Sequence, residues 1–523
     1  MSYRLGIDVG GTNTDAVILD AEHRVVVKAK RPTTPEIIDG IRAAVGAALI
    51  ASGLDPTTIS HAMLGTTHAT NAIVERKNLA KVGIIRLGAP ATVAIPPTLD
   101  WPGDILACIG GTYRVVRGGY EYDGKPISVP DPLEIEQAAR ELGEAGVESV
   151  AISCVFSPVR GDHELLAKEI CERVLGPAVQ VCLSSEIGSL GILERENATV
   201  LNAAILKVAD RAYGGCAGIL EELGIEADLL ITQNDGTLMT AEYARAYPVL
   251  TIASGPTNSL RGAAFLSGLD RAIVVDVGGT TTDVGFLVKG FPRESTHGVE
   301  IGGVRTNFRM PDLISAGLGG GSIVRSLDSG ITVGPDSVGY RITTESVVFG
   351  GATMTATDVA VVAGMAGIGK PGLSIGVDDG VAKEAIRVIA CKVEELIDRI
   401  KTEQTPVPVV LVGGGSIILG ETLEGASQVV RPAHFDVANA IGAAIAQVSG
   451  TIDGVFDVAS QGREAVVAQV KELATAEAER AGAAAGTIEI VELEEIPLAY
   501  MPSNAVRFRV KAVGDLAEAP IRA

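Results

Sequence analysis

The chain has 523 residues, room for three or four domains of ~150 residues or two large ones carrying insertions. Hydrophobic residues make up 47% and charged residues 20%, a balance that builds folded cores and argues against a long disordered or charged tail. A net charge of −21, 4% aromatics and a single tryptophan, Trp101, supply neither the cationic surface nor the stacking platforms of a polynucleotide binder, so no nucleic-acid partner is expected. The six cysteines (Cys108, Cys154, Cys171, Cys182, Cys216, Cys391) stand singly, without a C-x-x-C pair, and read as reduced thiols. No apolar run reaches the ~18 residues of a spanning helix and the N-terminus lacks an apolar leader, so the expectation is a cytoplasmic protein with no membrane partner.

In chain order, the sequence predicts an apolar strand at 4–9, a turn at Gly10-Gly11-Thr12, an outgoing strand that begins Thr14-Asp15, and a third strand at 24–30. A helix follows at 35–52, with Pro35 in its first turn and Gly53 after its last. Strands at 61–64 and 81–87 flank a helix that includes 70–76. Residues 88–130, rich in Pro and Gly and without clean periodicity, read as an inserted subdomain. Helices at 133–145 and 163–175 then alternate with strands at 149–155 and 179–183, the pattern of a doubly wound sheet, before a long helical segment at 192–223 with a break near Gly214-Gly215. A strand at 272–277 turns at Gly278-Gly279-Thr280 into a second strand. A glycine loop at 316–322 opens a strand-rich zone, followed by a helix at 376–403. The branched apolar run at 407–412 predicts a buried strand entering Gly413-Gly414-Gly415-Ser416, with a helix at 437–448 behind it. The tail predicts a helix at 463–482 and strands at 487–491 and 506–513.

The organising feature is an internal repeat. IDVGGTNTDAVILD at 7–20 aligns with VDVGGTTTDVGFLV at 275–288, and eight of the fourteen positions are identical. A repeat at such long range implies two related domains. Each Asp-x-Gly-Gly-Thr turn ends a strand at its carboxyl edge, and its glycines let backbone N–H groups approach an anion with no Cβ in the way. Two such hairpins facing each other can grip a polyphosphate from both sides. Asp8 and Asp276 are the candidates for metal or water positioning, the alternative being Asx caps of their hairpins. Asp15 and Asp283, on the outgoing strands, are candidates for holding Mg2+ through water or for bracing the hairpins. Gly10, Gly11, Thr12, Asn13, Gly278, Gly279, Thr280 and Thr281 form the candidate phosphate cradle, and Gly413, Gly414, Gly415 and Ser416 the candidate nucleoside turn. Ser254, Gly255 and Pro256 open a helix and offer its first amides to an anion, or simply enter it.

This triple pattern resembles the actin, sugar kinase and heat-shock ATPase superfold. The chain more specifically resembles the hydantoinase A and oxoprolinase family in GIDVGGTNTDAV (6–17), LGTTHATNAIVERK (64–77), ERENATVLNAAI (194–205), ASGPTNSLRGAA (253–264), VVDVGGTTTDVGF (274–286), GLGGGSIVR (317–325), TVGPDSVGY (332–340), GGATMTATD (350–358) and PAHFDVANAIGAA (432–444). The resemblance implies an α/β fold of two actin-like (ribonuclease H-like) domains flanking an ATP cleft, with an inserted subdomain and a small C-terminal α/β appendage. The expected division is 1–185 for the first domain with its insertion near 88–130, 186–270 for a helical and crossover region, 271–450 for the second domain, and 451–523 for the appendage.

The resemblance also implies ATP and Mg2+, with Asp8, Asp276 and Asp283 as metal-binding groups. The reaction class is ring opening of a cyclic amide through phosphorylation of its carbonyl oxygen, alternatively ketone carboxylation, or a kinase or regulatory role on the same fold. A second hydantoinase-type subunit and a homo- or hetero-oligomer are expected. Thr67, His68 and Asp312 are the substrate-facing candidates. At Asp312-Leu313-Ile314 the chain departs from the family's Asp-x-His, so a histidine metal ligand is missing there. The chain also stops sooner than the large hydantoinase subunits.

Overall fold

The computed structural model describes residues 2–34, 37–188, 190–295, 298–307, 310–328, 330–370, 376–498 and 505–517. The expected helix start at Pro35 lies outside them. The first half is built on β1 (Tyr3–Val9), β2 (Asn13–Leu19), β3 (Val25–Pro32), β4 (Ile59–Thr66) and β5 (Asp228–Thr232). They lie side by side in the order β3-β2-β1-β4-β5; β1, β2 and β3 pair antiparallel, and β4 joins β1 and β5 in parallel. The second half repeats this with β6 (Ile273–Val277), β7 (Thr282–Val288), β8 (Leu313–Ala316), β9 (Val407–Val412) and β10 (Ala426–Val430). Its order is β8-β7-β6-β9-β10, with the same senses. The chain thus carries two actin-like sheets. β9 is the continuous apolar run of the sequence because both of its faces are covered, and Val409 to Val412 are fully buried.

α1 (Ile192–Glu222) packs against the first sheet along its second half, while two helices, α2 (Ser254–Ser267) and α3 (Ala438–Ala444), tie the two sheets together. At the crossing of α2 and α3, a Cβ on Gly442 would stand 1.9 Å from the Asn258 carbonyl oxygen, and one on Gly262 would stand 1.9 Å from that of Ala438. A Cβ on Gly6 of β1 would stand 2.1 Å from the Ala440 carbonyl oxygen. Backbone-to-backbone contact at these glycines fixes α3 between the first sheet and α2, directly behind the repeat. α1 is unbroken through Gly214-Gly215, contrary to the expected interruption. Gly215 is there for space, since a Cβ would lie 2.4 Å from Ile38 Cδ1.

Two expectations about organisation change. The stretch near 88–130 is only part of the inserted unit. Thr112–Arg117, Val82–Ala89, Ser149–Cys154 and Gln180–Leu183 form, in that order, a parallel sheet of their own. The Pro and Gly content at 88–130 marks its connections, whereas pairing between strands remote in sequence leaves no local signal. The buried pair Arg86–Glu196 locks this sheet to α1: Nε and Nη2 of Arg86 donate to the two carboxylate oxygens at 2.8 and 2.5 Å, and Ser153 Oγ donates a further bond of 2.5 Å. The second change is at the join to the tail. Strands Gln447–Asp457, Glu489–Pro497 and Ala505–Gly514 extend the first sheet beyond Thr237–Thr240. Accordingly the helix expected at 437–448 stops at Ala444, and the chain turns into a strand at Gln447. Among the described residues no helix is long and apolar enough to cross a membrane.

Candidate functional site

The two repeat hairpins face each other across a cavity of about 400 Å3. Both turns close with the same bond, Gly10 N–H to the Asn13 carbonyl at 3.0 Å and Gly278 N–H to the Thr281 carbonyl at 2.9 Å. Asp8 stands opposite Asp15 in the β1–β2 ladder, and Asp276 opposite Asp283 in the β6–β7 ladder. Because residues directly across a ladder project to one face, each half presents a carboxylate pair to the cavity. All four aspartates line it, together with Gly10, Gly11, Thr12, Asn13, Gly278, Gly279, Thr280, Thr281, Gly413, Gly414 and Gly415.

The glycines serve closeness more than unusual torsion. None of Gly10, Gly11, Gly278 and Gly279 lies in the left-handed region, whereas Gly413 does, at φ +80°. A Cβ on Gly279 would lie 2.4 Å from Thr12 Oγ1, so the hairpins touch at that point. A Cβ on Gly413 would lie 2.2 Å from Asp276 Oδ1, and one on Gly65 would lie 2.7 Å from Asp8 Oδ1. Each leading aspartate therefore rests on a glycine of the adjacent parallel strand or its turn.

Four carboxylates in one cavity, Asp8 and Asp15 buried and Asp276 and Asp283 half-buried, hold their protons more tightly than free ones. Burial, then the neighbouring charges of Asp15 and Asp276, push Asp8 up to about 7. Burial pushes Asp283 up to about 6, against the stabilising hydroxyl of Ser315, which donates to it. Asp15 and Asp276 are raised by the same burial, opposed by Lys30 and by a bond from Ser259 respectively. Asn439 Nδ2 of α3 donates to Asp8 Oδ2 at 2.7 Å, which fixes that carboxylate and leaves its buried Oδ1 without a hydrogen-bond partner. An orphaned carboxylate oxygen, surrounded by other carboxylates and adjoining an open cavity, fits a hydrated divalent cation. No cluster of three or more His, Cys, Asp or Glu side chains arranged to hold a metal by themselves occurs among the described residues, so such a cation would be shared with water and ligand oxygens.

Most of the remaining family-like segments reach this cavity, whereas 194–205 lies in α1 against the inserted sheet. Gly320 and Gly321 N–H donate to the carbonyls of Gly278 and Gly279 at 3.0 and 2.7 Å, so the 317–321 loop braces the second hairpin from behind. Thr357, which lines the cleft, donates from Oγ1 to the Gly320 carbonyl at 2.8 Å. Its helix is held by a Thr355–Asp358 capping box. Gly255 and Pro256 line the cleft at the start of α2, while Ser254 is buried beneath it. Ser416 is fully buried behind the Gly413–Gly415 wall, outside the lining. Of the substrate-facing candidates only Thr67 lines the cavity. His68 is drawn below its ordinary pKa by burial and by Arg211, and Asp312 is ion-paired with Arg293 at 2.6 Å; both lie outside the lining. Sequence reasoning passed over Asn439, Lys30, Ser259 and Thr357. Asn439, Ser259 and Thr357 sit within the quoted 432–444, 253–264 and 350–358 segments, where a signal existed, and Lys30 lies outside them all.

A larger cavity of about 580 Å3 involves Asp235, Glu294, Asp453, Arg480 and Lys511. Its charges answer one another, as with Lys511 Nζ at 2.9 Å from Asp235 Oδ2 and Arg507 Nη2 at 2.6 Å from Asp453 Oδ2. It holds neither glycine hairpin, and the paired-carboxylate chemistry belongs to the smaller cleft.

Comparison with known proteins agrees with this arrangement. The hydantoinase/oxoprolinase N-terminal region matches residues 4–175, and the hydantoinase/oxoprolinase region matches 195–368. Caprolactamase subunit alpha of Pseudomonas jessenii is 30% identical over 478 residues, covering 84% of this chain and 65% of that protein. The acetophenone carboxylase gamma subunit of Aromatoleum aromaticum is 28% identical over 392 residues, covering 69% and 53%. The chain thus spans from 53% to 65% of the length of these two relatives. In fold it is similar to the crystal structure of the ATP-dependent caprolactamase from Pseudomonas jessenii, with a TM-score of 0.77 at 22% identity over 99% of this chain and 88% of that one. It is also similar to nucleotide-free acetone carboxylase, with a TM-score of 0.69 at 18% identity over the same shares. The two family regions between them hold both hairpins, the bracing loop and α2, and the chain belongs to the hydantoinase/oxoprolinase family.

Proposed function

We propose that this chain is the ATP-using subunit of a hydrolase that opens a cyclic amide of the hydantoin, oxoproline or lactam type by phosphorylating its carbonyl oxygen. The observation that carries the reading is the pair of facing hairpins with their carboxylates in identical register, Asp8–Asp15 and Asp276–Asp283. Backbone amides at Gly11–Asn13 and Gly279–Thr281 bind and orient phosphate oxygens from both sides, and the Gly413–Gly415 wall takes the nucleoside. Asp8 and Asp276, with Asp283, would hold a hydrated Mg2+, which when bound would supply positive charge against that developing on the transferring phosphoryl group. Asn439 keeps Asp8 Oδ1 turned to that task.

An unstrained amide resists attack by water. In the activated route the carbonyl oxygen forms a bond to the γ-phosphorus as the bond to ADP breaks, and water then adds to the carbon. The C–N bond then breaks, the nitrogen taking up a proton, to leave an acyl phosphate, and a second water hydrolyses that acyl phosphate, so that two waters are used in total and the products are ADP, phosphate and the ring-opened acid. Catalysis by this chain is positioning and charge neutralisation.

The names of the relatives as alpha, beta and gamma subunits support a partner chain. The carboxylase relatives favour a second reading, ketone carboxylation, which shares the phosphorylation step. The test is ATP turnover by the chain, alone and with its co-purifying partner, against a panel of cyclic amides and ketones with and without bicarbonate. Amide-dependent release of phosphate independent of bicarbonate is expected. Bicarbonate-dependent turnover of ketones would replace this reading with the second, and a stable phosphorylated product would point to a kinase.

A further inference from the structure

We propose that Lys30 is a catalytic cation of the cleft, meeting the terminal phosphate of the nucleotide, an inference that rests on the ATP reading above. Among the described residues lining the cavity, Lys30 is the one basic side chain, against Asp8, Asp15, Asp276, Asp283 and Asp436. A polyanion entering so acidic a cavity needs every positive charge available.

Its placement follows from the sheet. Lys30 stands opposite Asp15 in the β2–β3 ladder, and Asp15 stands opposite Asp8, so the three side chains share the face that opens on the cleft. Lys30 Nζ lies 2.6 Å from Asp15 Oδ1 and 2.8 Å from Oδ2. Asp15 is buried, with 3% of its side chain exposed, while 31% of the Lys30 side chain remains open. The ammonium is therefore anchored on one side by a buried carboxylate and free on the other to donate into the cavity. A lysine has three donors, and the carboxylate does not use them all. In the second half the equivalent ladder position opposite Asp283 is Ser315, which is neutral. The cation is thus confined to the first hairpin, and it points the more negative end of the ligand towards that side.

A purely structural role would have Lys30 do no more than neutralise Asp15, and a double-mutant cycle separates the two. Calorimetry with ADP and with a non-hydrolysable ATP analogue, both with Mg2+, is run on the wild type, Lys30→Met, Lys30→Arg, Asp15→Asn and the double variant Asp15→Asn/Lys30→Met. Expected for Lys30→Met is at least ~10-fold weaker binding of the analogue with ADP affinity changed less than ~3-fold, and partial recovery in Lys30→Arg. The same selective loss is expected when Lys30→Met is placed on the Asp15→Asn background, where no buried carboxylate is left to unfold the protein. If the loss disappears on that background, or falls equally on ADP and the analogue, Lys30 is only the partner of Asp15 and the proposal is overturned while the ATP reading stands. Wild-type protein that binds neither nucleotide would overturn both.

Discussion

Asp8 and Asp276 hold the same position in their strands, and Asp15 and Asp283 the same position opposite them, yet the third strand of each half completes the row differently, with Lys30 in the first and Ser315 in the second. The turns differ in a second respect. A Cβ on Gly11 meets nothing within 4 Å, whereas one on the equivalent Gly279 would strike Thr12 of the opposite hairpin. The repeat therefore preserves the backbone that faces the cavity and diverges in what stands behind it. The first half carries the cation and the open turn, and the second half is braced from behind by the 317–321 loop. What the contrast teaches is that matching sequence motifs on matching strands need not be interchangeable parts, because neighbours on a third strand set the charge of each.

The largest expected effect tests where the halves are alike. Asp8→Asn and Asp276→Asn should each lower substrate-dependent ATP turnover by at least ~10²-fold, the scale of losing a group that positions transition-state charge. Nucleotide binding, followed by calorimetry, should survive better than turnover. Near-normal turnover in either variant would return that aspartate to a hairpin cap and break the equivalence.

Next in size is the turn contrast. Gly279→Ala should destabilise the fold by about 1–3 kcal/mol, since the methyl group must displace Thr12 at the point where the hairpins touch. Gly11→Ala should leave the thermal midpoint unchanged. Equal shifts in the two variants would mean that the hairpins do not meet in solution as they do here.

Exchanging the third-strand partner sharpens the comparison further. Ser315→Lys gives Asp283 a cation of its own, which should favour its ionised form and weaken divalent-cation binding in the absence of nucleotide by roughly 3–10-fold. An unchanged titration would show that Ser315 and Lys30 are equivalent after all.

The smallest effect is a pH dependence. Burial holds the Asp8 carboxyl at a pKa of about 7 in the folded state, up from an ordinary 3.8. The folded protein therefore binds more protons than the unfolded chain between those values, so stability falls as pH rises through that window and levels off above about 7. In Mg2+-free buffer the thermal midpoint should drop by a few degrees from pH 5 to pH 8, and Asp8→Asn should flatten the slope. Divalent-cation affinity should rise over the same range, because the cation displaces the proton. A midpoint that rises with pH in the wild type would contradict the burial of this carboxylate.

Much of this was legible before the fold was seen. The alternation of apolar residues and the Asp-x-Gly-Gly-Thr spacing locate both hairpins, because a tight turn between two buried strands is a local property. The run at 407–412 declares a strand covered on both faces for the same reason. The roles of Gly65 and Gly442 were not legible. Each glycine is there because another segment, Asp8 in one case and Asn258 in the other, passes within the space of a missing methyl group, and nothing in a residue's own neighbourhood reports which remote segment that will be.

The sequence alone determined the duplication, the carboxylate pairs, the phosphate-type turns and the family resemblance, all of which depend on residues within one hairpin or one contiguous motif. Tertiary structure decided the rest. It gathered the four strands between Val82 and Leu183 into a parallel sheet, and it sent the tail strands into the first sheet. It set Asn439 on Asp8 and Lys30 on Asp15, and it left His68 and Asp312 outside the cavity. The physical reason is that local periodicity encodes how much of a residue is buried and how the chain turns. Which strands pair, and which side chains then converge on one cavity, is settled by the joint packing of segments tens to hundreds of residues apart.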